Sequence, residues 1–249
     1  MVVVVAHSDG AVKTVHLVRH AQAESNAAFE VVGREAYHDE QYADARLTLK
    51  GREQARRLGT HHAQALLQVE LVVCSPLSRT IETTLIAYEA AYAQAALAAP
   101  QAPARQPRLL LLEQCREKIG FNPCDRRSSR TEILEMFGER LHAAFAEVSD
   151  ELHGERDELW TREHRETADE IQARASSFVG WMMDRPERSM MCVTHSAFLS
   201  AGIGRQMLEN HKQAFTAESQ MRLDAEHSEM TRWYENCDMR TFTFARSEL

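Results

Sequence analysis

Residues 13–26 read KTVHLVRHAQAESN. The first six are mostly apolar or β-branched, and a charged pair, Arg19 and His20, follows without a spacer. Such a run predicts a short, buried strand that ends abruptly in a polar loop. The pattern returns along the chain. Leu71–Cys74 runs into Ser75 and Pro76, residues 109–112 run into Glu113, and residues 190–194 run into His195 and Ser196.

Helical spacing fills the intervals. Thr48 is placed to cap a helix whose apolar face holds Leu49, Ala55, Leu58, Ala65 and Leu66. Pro76 suits the first turn of a second helix, continued by Ile81, Leu85, Tyr88 and Tyr92. Residues 131–160 read as helical, with a stripe of Ile133, Met136, Phe137, Leu141 and Phe145. Thr167 and Glu170 form a capping-box pattern before a stripe of Ile171, Ala175, Phe178 and Met182. Residues 90–107 are rich in Ala, Gln and Pro; their first part extends the helix and the rest, with three prolines, predicts an exposed loop, and residues 241–244 alternate like a final edge strand.

Strands alternating with helices imply an α/β fold: a three-layer α/β/α sandwich with a mostly parallel open sheet and helices on both faces. We expect one domain over residues 1–249, with residues 113–165 as a helical insertion over the C-terminal edge of the sheet. Ligands of open α/β sheets bind beyond the carboxyl ends of the strands. Arg19 and His20, residues 75–79, residues 113–117 and His195 all follow predicted strands directly, so one edge receives them all.

Those groups suit phosphoryl transfer. Guanidinium groups hold phosphate oxygens bidentately and stay charged at any working pH. A neutral imidazole nitrogen held near phosphorus is a competent nucleophile. The remaining demand is positioning and charge stabilisation, to which each donor contributes about 2–4 kcal/mol. A carboxylic acid nearby would protonate the leaving oxygen and then take a proton from water.

Four segments carry a resemblance. Residues 17–26 (LVRHAQAESN), 48–55 (TLKGREQA), 75–80 (SPLSRT) and 192–198 (CVTHSAF) resemble, in order, the motifs of the histidine phosphatase superfamily, with its phosphoglycerate-mutase-like fold. Residues 115–120 (CREKIG), 123–127 (PCDRR), Leu159-Trp160 and 165–167 (RET) resemble a eukaryotic branch of plant and fungal proteins. The resemblance implies that His20 is the phosphorylated nucleophile and that Arg19, Arg79, Asn26 and a protonated His195 hold the phosphoryl oxygens. It implies Glu117 as the acid–base residue, with Glu113 as competitor, because the family often spaces this glutamate four residues before a glycine and Glu117 lies three before Gly120. Glu113, Arg126 and Arg127 are further candidates for substrate contact. Ala21 and Ala197 stand where the family usually has glycine. A left-handed backbone at either position would cost roughly 1–2 kcal/mol.

Other features narrow the function. The formal net charge is −8, which disfavours nucleic acid or an anionic membrane as the partner. Five scattered cysteines without a C-x-x-C pair predict reduced, buried thiols rather than a disulfide framework or structural zinc. The apolar run at residues 2–5 is too short for a signal-peptide core, and no run approaches the ~20 apolar residues of a membrane span. A cytoplasmic protein with a small phosphorylated substrate and no metal or other cofactor is expected. The sequence carries no signal of oligomeric state.

His61, His62, His142, His153 and His211 fall on predicted polar faces and are read as surface residues. Glu166 suits a capping role as well as an active-site one. His38 and Glu40 lack the spacing of a common metal site. Hydrolysis is favoured over mutase chemistry because residues 115–120 lack the Tyr of the mutase segment Glu-Arg-x-Tyr-Gly. The intact set of two Arg, two His and Glu argues against an inactive binding module. Two arginines beside His20 and His195 make a metallohydrolase electrostatically unfavourable.

Overall fold

The computed structural model describes residues 3–6, 12–99, 105–206 and 232–245. In chain order the elements are β1 (Val3–Ala6), β2 (Val12–Arg19), α1 (Glu24–Val32), α2 (Leu49–His61), α3 (Ala63–Leu66) and β3 (Leu71–Cys74). Then come α4 (Ser78–Ala98), β4 (Arg108–Leu112), α5 (Arg130–Ala144), β5 (Glu147–Glu151), α6 (Ala168–Asp184), β6 (Ser189–Thr194) and β7 (Met239–Ala245). A π-helical segment, Phe198–Gly204, follows β6.

The strands form one sheet in the order β1-β7-β2-β6-β3-β4-β5. Every pairing is parallel except β2 with β7. The register sets Arg19 beside Thr194, Cys74 beside Val193, and Cys74 beside Leu111. The carboxyl ends of β2, β6, β3 and β4 therefore share one edge.

Alternation along the strands sends side chains to opposite faces. Val18, Val72, Leu109, Leu111, Met191 and Val193 pack under α2, α4 and α5. Val15, Leu17, Val73, Leu110 and Cys192 pack under α6 and the π-helical segment. Helices thus cover both faces, as the alternating pattern predicts. Among the described residues no helix is long and apolar enough to cross a membrane.

Some expectations are corrected. The final strand lies inside the sheet, because β1 pairs along its outer side. The helix beginning near residue 131 stops at Ala144, and β5 follows as the far edge strand. Its sequence, EVSDE, is too polar to read as a strand. Charged side chains on an edge strand deter edge-to-edge pairing. The segment 113–165 therefore splits into a helix and strand that extend the sheet and two flanking loops that approach the site. The helix opened by Thr48 breaks at His62 into α2 and α3. Pro76 lies just before α4 rather than in its first turn, and Asp44 caps that helix by accepting from the backbone N and Oγ of Ser78. Of the predicted loop, residues 100–104 lie outside the described residues, as does His211.

Candidate active site

The loop after β2 carries His20, and α2 holds that loop in place. Thr48 donates its backbone N–H to the Gln22 carbonyl and its hydroxyl to Gln22 Oε1 (2.9 Å). Gln54 Oε1 accepts from the Gln22 backbone N–H (2.9 Å). A Cβ at Gly51 would collide with the Gln22 carbonyl oxygen, so only glycine permits this approach. Three residues of the 48–55 motif thus brace the backbone of Gln22, two residues beyond His20.

His20 is buried, and its tautomer follows from its partners. Nδ1 lies 2.7 Å from the Ala21 carbonyl, which can only accept, so Nδ1 carries the proton. Nε2 lies 3.3 Å from Arg79 Nε, which can only donate, so Nε2 presents its lone pair. Burial, with Arg79 and Arg19 nearby, pushes the imidazole pKa well below its ordinary value. His20 is therefore neutral at pH 7.

Arg79 sits in the first turn of α4 and is 3% exposed. Its guanidinium donates to the Cys124 carbonyl (2.6 Å), to Asp125 Oδ1 (2.9 Å) and to His195 Nδ1 (3.2 Å). Thr83 couples the His20 loop to α4, donating to the Arg79 carbonyl and accepting from the Ala21 N–H. Arg19 donates to the Tyr234 carbonyl (2.7 Å), whereas its buried Nε has no acceptor among the described residues. From the other side Asn236 donates to the His20 carbonyl (3.0 Å).

His195 lies one layer deeper than expected. It is fully buried, its ring centroid is 5.0 Å from that of His20, and its Nε2 meets Ser75 Oγ at 2.8 Å. Because Nδ1 accepts from Arg79, Nε2 holds the proton. Burial and the neighbouring cations push its pKa well below the ordinary value. The expectation of a protonated His195 on the phosphoryl oxygens is thus corrected: it is neutral and backs Arg79.

A cavity of about 560 Å³ opens over these groups. Arg19, His20, Asn26, Arg79 and Glu117 all line it. Asn26 accepts from the Ala23 N–H, closing the first turn of α1. Glu117 Oε1 accepts from the Lys118 N–H (2.8 Å), and Oε2 faces the Ala197 N–H (3.4 Å). Burial, reinforced by Asp125, raises the Glu117 pKa above the ordinary carboxylate value.

Glu113 is not in this cavity. The short 3-10 turn Glu113–Cys115 aims its carboxylate into a sealed cluster, where it accepts from Arg116 (2.8 Å) and Arg127 (2.8 Å). Arg116 also pairs with Asp157 (2.6 Å). Arg127 is buried, with further donors spent on backbone carbonyls of residues 128 and 153–156. Arg126 lies at the surface, paired with Glu40 and stacked over Trp160. None of these three lines the cavity, contrary to the expectation of substrate contact. Glu166 pairs with Arg174 and accepts from the Ile119 N–H (3.0 Å), so it braces the Glu117 loop.

Two participants escaped the sequence reading. Asp125 bridges Arg79 and Arg165 (2.9 and 2.8 Å), and Arg165 lines the cavity. Both lie in segments that carry the branch resemblance, Asp125 directly before Arg126 and Arg127. Ala21 and Ala197 carry no strain, since neither has a left-handed backbone. Among the described residues no three His, Cys, Asp or Glu side chains are grouped to hold a metal ion.

Comparison with known proteins adds a family. The model of the histidine phosphatase superfamily (branch 1) matches residues 15–98. A phosphoglycerate mutase-like protein of Arabidopsis thaliana is 37% identical over 203 residues, covering 75% of this chain and 72% of that protein. A probable phosphoglycerate mutase of Saccharomyces cerevisiae is 28% identical over 185 residues, covering 65% and 60%. The fold is shared with phosphoglycerate mutase from Bacillus anthracis, at a TM-score of 0.51 and 15% identity, over 94% of this chain and 89% of that one.

Proposed function

The chain belongs to the histidine phosphatase superfamily, and from that premise we propose that it hydrolyses a small, soluble phosphate ester through a phosphohistidine on Nε2 of His20. One observation carries this reading: Nδ1 is spent on the Ala21 carbonyl, leaving the Nε2 lone pair beside Arg79. In phosphoryl transfer the protein supplies positioning and charge, and the groups for both are at hand.

Arg19 and Arg79, both lining the cavity, hold the phosphoryl oxygens. Asn26 offers its amide from the same wall. Nε2 attacks phosphorus, and the P–O bond to the leaving alcohol breaks as Glu117 gives that oxygen its proton. The Glu117 carboxylate then takes a proton from water. The water oxygen attacks phosphorus, the P–N bond breaks, and neutral His20 returns with inorganic phosphate. His195 positions Arg79 from behind. A raised carboxyl pKa and a depressed imidazole pKa are the pairing that such acid and nucleophile roles require.

Two arginines beside His20 make a divalent cation there electrostatically costly, so the reaction proceeds without one. Hydrolysis fits better than mutase chemistry, since residues 115–120 lack the mutase-type Tyr. The unpaired thiols suit a reducing compartment such as the cytosol. The net charge of −8 suits a small-molecule partner rather than nucleic acid or membrane. The test is phosphate release from an aryl phosphate in excess chelator. Sustained release is expected. Interconversion of phosphoglycerates without release would replace hydrolysis by mutase chemistry.

A further inference from the structure

The cavity is larger and more cationic than a phosphoryl group requires. Arg19, Arg34, Arg79, Lys118 and Arg165 all line it, against Asp125 and a Glu117 that serves as an acid. A phosphomonoester dianion with Asp125 offsets three of those charges. Arg34 and Lys118 have no ion-pair partner among the described residues, so their charge faces the cavity unmatched.

The rest of the wall is aromatic. Phe29 and Tyr37 stack with centroids 5.0 Å apart and planes 13° apart, and Phe121 meets the edge of His38 at 5.1 Å. Trp233 completes the belt and lies over Arg19. Phe121 is 49% exposed although apolar, and its φ of 63° places a bulky residue in the left-handed region. Gly120 precedes it at φ 85°. The turn around Phe121 is locked from three sides: Phe121 N–H donates to the Thr161 carbonyl, Arg165 to the Gly120 carbonyl, and the Trp160 indole to the Asn122 carbonyl. Strain held this firmly to present an exposed ring at a cavity mouth belongs to ligand binding.

We infer that the substrate carries an aromatic ring and a second anionic group besides the phosphate that is removed, the ring stacking in the Phe29, Tyr37, Phe121 and Trp233 belt and the anion meeting Arg34 and Lys118. The inference rests on the phosphatase reading above. It is tested by kcat/KM on four primary-alkyl phosphates with similar leaving groups: propyl, 3-carboxypropyl, benzyl and 4-carboxybenzyl phosphate. Benzyl phosphate should exceed propyl phosphate about three- to tenfold, the scale of one aromatic pair. Each carboxylated ester should exceed its parent about tenfold, the scale of a charged hydrogen bond. Phe121→Ala should draw the benzyl-to-propyl ratio toward one, and the double variant R34A/K118A should do the same for the carboxylate ratio. Equal kcat/KM for all four overturns the inference and leaves hydrolysis standing, and loss of either preference alone overturns that half. Turnover of none, with no phosphoenzyme formed, overturns the phosphatase reading along with it.

Discussion

Glu113 and Glu117 stand four residues apart after the same strand, yet their surroundings are opposite. Glu113 is enclosed by Arg116 and Arg127, each of its oxygens met by a guanidinium. Glu117 lines the cavity, holds only backbone N–H groups, and has a raised pKa. A carboxylate held between two guanidinium groups is spent on its ion pairs. One that is desolvated beside another carboxylate has its pKa raised. What separates the two is which way a short turn points each side chain.

The nucleophile should give the largest effect. His20→Ala is expected to abolish turnover, on the order of 10⁶-fold as for other nucleophile deletions, while circular dichroism shows a native fold. Retained activity would contradict the mechanism. Glu117→Gln should lower kcat by about 10²–10⁴-fold with thermal stability intact. Its effect on the pH profile is more specific. The wild type should be limited below neutrality by protonation of His20, at a pKa well under its ordinary value, and at higher pH by ionisation of Glu117, at a pKa above its ordinary value. Activity should therefore favour the acid side, and the Gln variant should lose the alkaline limb.

Glu113→Ala should invert that result. Removing one partner of a buried ion cluster costs about 3–5 kcal/mol of stability, read as a lower denaturant midpoint. The folded fraction should keep the wild-type pH profile. If instead it loses the alkaline limb at native stability, the contrast between the two glutamates is wrong. Arg79→Ala should weaken binding of phosphate or vanadate by about 1.5–3 kcal/mol, measured by calorimetry. Thr48→Ala should have the smallest effect, about 1 kcal/mol of stability from a lost helix cap.

The parts that were legible in the sequence are those in which one residue type has one destination. Apolar runs such as Leu71–Cys74 had to be buried strands, and Arg19, His20, Arg79 and His195 had to lie at their ends. Charged residues outside such runs were not legible, because a carboxylate between arginines and one facing solvent look alike in sequence. Glu113, Asp125 and Arg127 were settled by partners as far away as Asp157 and Arg165. β5 was missed for a related reason, since a polar edge strand has no apolar alternation to reveal it. The depth of His195 was also hidden. The residues after β6 showed that it reaches the sheet edge, but not that Arg79 stands between it and the cavity.

Covalent phosphorylation of His20 through Nε2 is the step on which the proposed mechanism turns. The direct measurement is acid-quench-free trapping of the enzyme during turnover of a phosphate-labelled aryl ester, followed by peptide mapping of the label. An acid-labile, base-stable phosphoryl group is expected on the peptide carrying His20, absent from His20→Ala. Turnover with no label on the protein, or with label on any other residue, would contradict it.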